Sequence, residues 1–337
     1  MHLIALVERL DHVCCRYRLA VYRPLWERAG HRLEIREIPR SALGWLRLGP
    51  GISGTDGVIV QRKLLRPWQL FLLRRAAPFL AFDFDDAVFL RDSYASQGMH
   101  SFRRHRRFTA MAGAADLVVA GNSFLADESR RRAGAQRVHV IPTCLDPKTY
   151  PLADHNRTGE DVRLVWIGSS STLRGLERAR GLLEEIGRGC PRLSLHIVCD
   201  RFLSLASLHV TPCPWSEAGE AAALAAADIG ISWVPDDLWS RGKCGLKLLQ
   251  YMAAGLPVVA NPVGVQTEIV RHGETGFLAQ APQQWVQAIA RLAGDPGLRR
   301  RMGLAGRRRV EAEYHVKTGA ALWTELLSKS QRRRKTA

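Results

Sequence analysis

Short apolar runs alternate with longer amphipathic stretches along the whole chain. Leu3–Val7, Gly57–Gln61 (GVIVQ), Phe79–Phe82, Leu117–Ala120 (LVVA) and His139–Pro142 (HVIP) read as buried strands, and Arg32–Ile38 sets Leu33 and Ile35 against charged neighbours. Helical or polar segments separate them, including a helix predicted from near Cys15 to Ala29 and ended by Gly30. Between Asp146 and Asp161 the sequence turns polar and turn-rich (DPKTYPLADHNRTGED) and reads as a linker. The alternation then restarts: strands at Arg163–Ile167, Leu193–Val198, Ile229–Trp233 and Val258–Ala260, with helices over about Arg174–Arg188, Ala218–Ala227, Pro282–Ala293 and Leu298–Glu313. Continuous apolar runs divided by helices indicate parallel strands covered on both faces. Two such series predict an α/β protein of two doubly wound, Rossmann-like domains facing across a cleft.

Length agrees, since 337 residues exceed one ordinary core and suit two domains of about 150 each. The expected boundaries are 1–155, 160–313, a C-terminal helix over 314–330, and a basic tail over 331–337, of which Gln331–Lys335 is expected to be frayed. Lys and Arg number 49 against 32 Asp and Glu, a net charge of +17. That excess suits an acidic partner: nucleic acid, an anionic membrane face or a phosphorylated substrate. A GC-rich genome favouring Arg is the plain alternative. Seven cysteines without framework spacing, and no CxxC pair, argue against a disulfide scaffold or a zinc site and for reduced thiols in the cytoplasm. Met1–Val7 is too brief for a signal peptide, and no apolar run is long enough to span a bilayer.

Candidate chemistry concentrates in Trp239–Gly276 (WSRGKCGLKLLQYMAAGLPVVANPVGVQTEIVRHGETG). A basic turn opens a helix there and Gly-Leu-Pro closes it. Backbone N–H groups and Lys243 and Lys247 at a helix N-terminus suit a diphosphate. Helical spacing predicts Lys243, Lys247, Gln250 and Ala254 on one face. Gly245 lets a ligand approach the backbone at the first turn, beside the amide of Leu246. Lysines there oppose the macrodipole, a conflict that an anion would resolve; a solvated face with incidental lysines is the alternative.

Trp166–Thr172 (WIGSSST) ends a strand in small hydroxylated residues. Gly168, Ser169 and Ser170 with Arg174 suit a phosphate, or simply a helix cap. FDFDDA places Asp83, Asp85 and Asp86 at a strand end, and alternation predicts Asp83 and Asp85 on one face and Asp86 on the other. These carboxylates suit proton handling or acceptor orientation better than a metal, and no metal site is expected. Arg16 and Arg18, after the first strand, suit an anionic acceptor or donor phosphates, and Asn122 joins them as an acceptor-side candidate. Arg103–Arg107 (RRHRR) between Phe102 and Phe108 suits an anionic membrane or is a solvated helix face. Glu268 suits binding of donor sugar hydroxyls, or simply a cap of the next helix.

The segment KCGLKLLQYMAAGLPVVANPVGVQTEIVRHGETGFL resembles the nucleotide-binding half of retaining GT-B glycosyltransferases, the family glycosyl transferases group 1. The YMAAGLPVVA core, the following VG, the EIV and the GETGFL stand in family order; FDFDDAVFL, VVAGNSFLADE and HVIPTCLDPKTY extend the likeness more loosely. The resemblance implies a first, acceptor-side domain and a second domain holding a nucleoside-diphosphate sugar, with the last helix, suited by Ala320–Leu327, crossing back to the first. It implies sugar transfer with retention to a hydroxyl of a glycan or lipid-linked acceptor, with no cofactor and no metal. Lys243, Lys247, Arg174 and the amides near Gly245 would neutralise the diphosphate, and Asp85 or Asp86 would orient the acceptor or shuttle its proton. Gly242 and Gln250 stand where the family often carries glutamates, and Ser169 where it often carries arginine, so Lys243 and Lys247 would supply missing charge. Surface polysaccharide or glycolipid synthesis, in the cytoplasm or peripherally on the inner membrane face, is the expected setting. A nucleotide-sugar epimerase on the same fold is the enzymatic rival. A non-enzymatic basic binding protein is weaker, because no nucleic-acid module accompanies the charge and no specific nucleic acid is expected.

Overall fold

A computed structural model describes residues 1–156 and 161–335, the side chains of 133, 135 and 330–335 excepted. The chain divides into two compact units, the first built from Met1–Cys144, Asp237–Cys244 and the segment from Val316 on, the second from Leu145–Asp236 and Gly245–His315. Asp237–Cys244, read from the sequence as part of the second domain, thus packs with the first.

In the first unit, β1 (His2–Val7), β2 (Arg32–Glu37), β3 (Gly57–Gln61), β4 (Leu80–Phe84), β5 (Leu117–Ala120) and β6 (Val138–Val140) form a parallel sheet in the order β2-β1-β3-β4-β5-β6. The inner strands β1, β3, β4 and β5 alternate between two cores. Ile4, Leu6, Val58, Val60 and Phe82 pack with Trp45, Leu70 and Phe108 from the helices Ala42–Ser53, Pro67–Ala76 and Phe102–Ala114. Leu3, Ala5, Val7, Ile59 and Ala81 pack oppositely, with Tyr22, Trp26 and Trp323. Trp323 stands on the C-terminal helix Val316–Lys335, edge-on to Trp26 with centroids 6.1 Å apart. The backbone of that helix continues to Lys335, so the expected fraying at Gln331 is not seen; 336–337 lie outside the described residues.

The helix expected from Cys15 to Ala29 is broken into Val13–Arg18, a 3₁₀ turn at Ala20–Tyr22 and Arg23–Arg28. Pro24 lacks an N–H and fits only a first helical turn, so it starts a new helix.

In the second unit, β7 (Val162–Ile167), β8 (Leu193–Cys199), β9 (His209–Pro214), β10 (Ile229–Ser232), β11 (Val258–Ala260) and β12 (Gly276–Leu278) are parallel in the order β12-β11-β10-β7-β8-β9. The two strands missed in the sequence, β9 and β12, are the edges. β9 (HVTPCP) carries prolines that only an edge tolerates, and β12 is three residues long. The helix expected over Arg174–Arg188 is two, Ser170–Arg178 and Arg180–Gly189. The expected linker is no free tether where it is described. Leu145 N–H donates to Tyr314 O, Ala153 N–H to Ala254 O, and Tyr150 is buried, because its apolar positions find partners in the second unit; 157–160 lie outside the described residues.

One charge pair is sealed in the first unit. Arg18 and Asp83 are both fully buried; Arg18 Nη2 donates to Asp83 Oδ1 at 2.5 Å and Nη1 to Ile141 O at 2.6 Å. Burial alone would lower the Arg18 pKa, and the Asp83 carboxylate more than reverses this, raising it above the ordinary arginine value. Removing one partner leaves an uncompensated charge, so Arg18→Met should lower unfolding stability in urea by about 3–5 kcal/mol. Arg18→Met combined with Asp83→Leu should recover most of that loss; a double variant no more stable than the single one would refute this reading of the pair.

Candidate functional site

Parallel sheets of this kind offer polar chemistry at their carboxyl edges, near the point where strand order reverses. In the first unit that point lies between β1 and β3. Immediately after β3 stands Arg62, which has φ +58°, the one non-glycine residue with positive φ among those described. Such a conformation costs about 1–3 kcal/mol and persists only where the surroundings enforce it. Here its N–H donates to Asp83 O at 2.8 Å, and its guanidinium spans two carboxylates. Nη1 donates to Asp85 Oδ1 at 2.9 Å and Nη2 to Asp86 Oδ2 at 2.7 Å, with Cys14 Sγ a further acceptor of Nη1.

Lys243 Nζ donates to the other Asp86 oxygen at 2.7 Å while lying 3.5 Å from the centroid of the Trp239 ring. Burial alone would raise the Asp86 pKa; the positive charges of Lys243 and Arg62 outweigh it and hold the carboxylate below its ordinary value. Asp85 and Asp86 lie past the end of β4, so the predicted strand alternation does not govern them and both meet Arg62.

The segment bearing Lys243 is fixed by Asn122. Its Oδ1 accepts from Leu125 N at 2.8 Å as a helix cap, and its Nδ2 donates to Arg241 O at 3.2 Å and Lys243 O at 2.9 Å. Buried and bonded in this way, Asn122 is an anchor and not the acceptor contact expected. Gly242 is similarly structural: a Cβ there would come within 2.8 Å of Ala87 N. Arg18 is also withdrawn from the expected acceptor role by its pairing with Asp83. Arg16 is half-buried, its guanidinium 4.9 Å from the Tyr17 ring centroid.

In the second unit the order reverses between β7 and β10. Tyr251 ties these strands together, accepting from Ile167 N at 3.0 Å and donating to Ile231 O at 3.2 Å. Just past β7, Gly168 has no space for a side chain: a Cβ would meet Trp166 Cη2 at 2.5 Å, Thr172 Oγ1 at 2.6 Å and Lys247 Nζ at 2.8 Å. Lys247 Nζ itself lies 3.8 Å from the Trp166 ring centroid and 3.4 Å from Thr172 Oγ1.

The helix carrying Lys247 is Leu246–Ala253, opened by Gly245 in the left-handed conformation at φ +68°. Lys243 therefore precedes the helix and does not share its face with Lys247; the glycine turns the chain between them. Gly245 also abuts Ile269 and Val265, which leave no room for a Cβ. Gln250 is buried, its Nε2 donating to Tyr150 OH at 3.2 Å, so it packs inward and is not the expected ribose contact.

Ser169 caps the helix Ser170–Arg178, its N–H donating to Thr172 Oγ1 at 3.2 Å and its hydroxyl lying 2.8 Å from that of Ser171. The Ser170 N–H expected to meet phosphate is taken by Asp200 Oδ1 at 2.7 Å. Asp200 was not singled out in the sequence; a lone acid after β8 carries no pattern. Arg174 is exposed on the same helix. Glu268 is exposed inside the short helix Gln266–Ile269, and its carbonyl accepts from Arg309 at 2.8 Å; Val265, not Glu268, is the cap.

Arg62, Asp200 and Tyr251 are residues that sequence reasoning left out, and Trp166 and Thr172 entered it only as the two ends of the WIGSSST run. Only the strand-end position of Arg62, directly after GVIVQ, could have flagged it.

The family model described as glycosyl transferases group 1 matches residues 148–295. D-inositol 3-phosphate glycosyltransferase of Streptomyces avermitilis is 41% identical over 69 residues, a stretch that spans 20% of this chain and 15% of that protein. Among solved structures, sucrose-phosphate synthase from Thermosynechococcus elongatus superposes with a TM-score of 0.72 at 18% identity, over 98% of this chain and 99% of the other. HepE of Anabaena, in complex with UDP and glucose, gives a TM-score of 0.74 at 17% identity over 98% of this chain and 100% of the other. At these identities the structures speak for the fold. Residues 148–295 thus match the family model of glycosyl transferases group 1, in a chain whose two parallel α/β units have the GT-B fold.

Proposed function

We propose that this chain is a retaining glycosyltransferase whose second unit holds a nucleoside-diphosphate sugar. The observation that carries the reading is Lys247: an ammonium seated on Trp166, against a glycine that admits no side chain, in the first turn of a helix at the carboxyl end of β7. A helix start carries partial positive charge and outward-pointing N–H groups, so the cation and the helix end attract the same anion. HepE was solved with UDP and with UDP-glucose, which supports a UDP-sugar as the donor class.

The chemistry follows from where charge develops. As the bond from the sugar anomeric carbon to the diphosphate oxygen breaks, its electron pair goes to the phosphate, and Lys247 with the amides of Leu246 and Lys247 stabilises that charge. An acceptor hydroxyl then bonds to the anomeric carbon on the same face, and its proton passes to the departing phosphate oxygen. The atoms balance without a cofactor, and we propose that protein cations take the place of a metal. The acceptor would be a glycan or lipid-linked hydroxyl, in surface polysaccharide or glycolipid synthesis. Asp86 is a poor base in this scheme, because Arg62 and Lys243 hold it ionised and clasped. Its role, with Asp85 and Arg62, is to orient the acceptor.

Lys247→Met keeps the packing and removes the charge, and should lower kcat/KM with a UDP-sugar about 10²–10³-fold; unchanged turnover would sink the assignment. Gly168→Ala should abolish the rise in melting temperature that UDP gives the wild-type chain, in a panel of UDP, GDP and ADP. A panel in which no nucleotide shifts the wild type would count against the whole donor reading. The clasp also has a pH signature. Because the folded pKa of Asp86 is depressed, its stabilisation is complete above the unfolded value near pH 4 and fades as pH falls below that. The stability gap between wild type and Asp86→Asn should therefore be constant from about pH 7 to 4 and close in more acidic solution, followed by urea unfolding.

A further inference from the structure

The helices Ala42–Ser53, Pro67–Ala76 and Phe102–Ala114 lie side by side on one face of the first unit's sheet. Trp45 and Trp68 join the first two edge to face, with centroids 6.0 Å apart. The third lies against the second, and there burial and the like charges of Arg103, Arg66 and Arg106 pull the Arg107 pKa down.

Two features of this helical layer are at odds with an ordinary solvated surface. First, Leu43, Leu46, Trp68, Phe71 and Phe102 are between 39% and 82% exposed. They stand outward while Trp45, Leu48, Leu70, Leu73 and Phe108 on the same helices fill the core, so the layer is apolar on both sides. Second, the three helices contain seven arginines and no aspartate or glutamate. Among the described residues only Arg74 of these seven forms an ion pair, with Asp116 at 2.9 Å. Arg75 instead lies 5.7 Å from the Phe71 ring centroid.

We infer that this layer is a docking surface for an anionic lipid bilayer. A bilayer interface takes both components at once. Trp, Phe and Leu side chains enter the headgroup–acyl boundary, while arginine stems lie along it with their guanidinium groups among lipid phosphates. A nucleic-acid backbone would use the arginines and leave Leu46 and Phe71 in water; a protein partner would need acids to match the six cations other than Arg74. Among the described residues no helix is long and apolar enough to cross a membrane. The RRHRR stretch supplies the charge and the first two helices the apolar anchors. The inference stands apart from the donor site, since none of these residues belongs to it.

The test is sedimentation of the full chain with vesicles of phosphatidylcholine alone or with about one-quarter phosphatidylglycerol. The expected result is binding to the anionic vesicles only, weakened by salt. Arg103→Ala combined with Arg106→Ala should lower the partition coefficient about 30-fold, on the basis of about 1 kcal/mol for each basic residue at the surface. Leu46→Ser combined with Phe71→Ser should lower it about tenfold or more, with melting temperature and UDP binding unchanged. Equal binding to both vesicle types, or variants that bind like wild type, would overturn the inference. So would light scattering that shows a dimer dispersed by the Leu46/Phe71 variant, which would assign the surface to a second copy. A duplex oligonucleotide bound through these arginines, without sensitivity to the Leu46/Phe71 variant, would also overturn it. Loss of UDP binding by Lys247→Met would leave this result untouched, so the two readings fail separately.

Discussion

The constraint on which everything else rests is that both sheets are parallel and buried on both faces. A strand such as β1, with Ile4 and Leu6 in one core and Leu3, Ala5 and Val7 in the other, has no surface on which to carry a polar side chain. Polar groups are therefore driven past the strand ends, and the reversal of strand order opens the space that receives them. Arg62 follows β3, Asp85 and Asp86 follow β4, and Gly168 follows β7 for this one reason. Asp83 is an exception that shows the cost. One residue short of the strand end, it stays inside and needs Arg18 beside it.

The first-unit cluster is organised around charge balance more than around any single acid. Two carboxylates side by side would repel; Arg62 bridges both, and Lys243 takes the remaining Asp86 oxygen. A planar guanidinium suits this bridging in a way that an ammonium would not. Reaching it obliges the Arg62 backbone to adopt a left-handed conformation that its side chain disfavours. Three side-chain contacts, to Asp85, Asp86 and Cys14, hold that backbone strain in place. Asn122 extends the arrangement by holding the Lys243 carbonyl, so the position of the lysine is set from two directions.

Much of the fold was legible because burial on two faces writes a continuous apolar run: GVIVQ, LVVA and VVA mark β3, β5 and β11 residue for residue. The edge strands β9 and β12 escaped, one because exposed prolines disguise it and one because three residues make no pattern. The site was less legible. Residue types were visible but their directions were not. Helical spacing placed Lys243 beside Lys247 because it assumed a helix from Lys243 onward, and only the left-handed Gly245 shows that the helix starts later. Gln250 and Asn122 are polar residues in suggestive places that fold inward, since their hydrogen-bonding partners, Tyr150 and the Arg241 and Lys243 carbonyls, are remote in sequence. Local periodicity holds no information about such partners.

The lysine at the helix start can now be weighed more closely. A positive side chain in a first turn is unfavourable by a few tenths of a kcal/mol to about 1 kcal/mol. The Trp166 ring, with Nζ 3.8 Å from its centroid, offsets that by a comparable amount. Lys247 is thus close to neutral in its effect on stability, and on the proposed reading the net gain would come from an anion meeting both the ammonium and the helix amides. Asp200 makes the same argument in reverse. Its carboxylate takes the Ser170 N–H at the neighbouring helix start, and backbone and side-chain bonds from Ser170 hold its pKa below the ordinary value. Of the two helix starts beyond β7, one is already satisfied by an acid of the chain, and the other is guarded by a lysine and a glycine. On the proposed donor reading, that asymmetry, written in side chains far apart in sequence, would direct a diphosphate to Leu246 and Lys247 and away from Ser170.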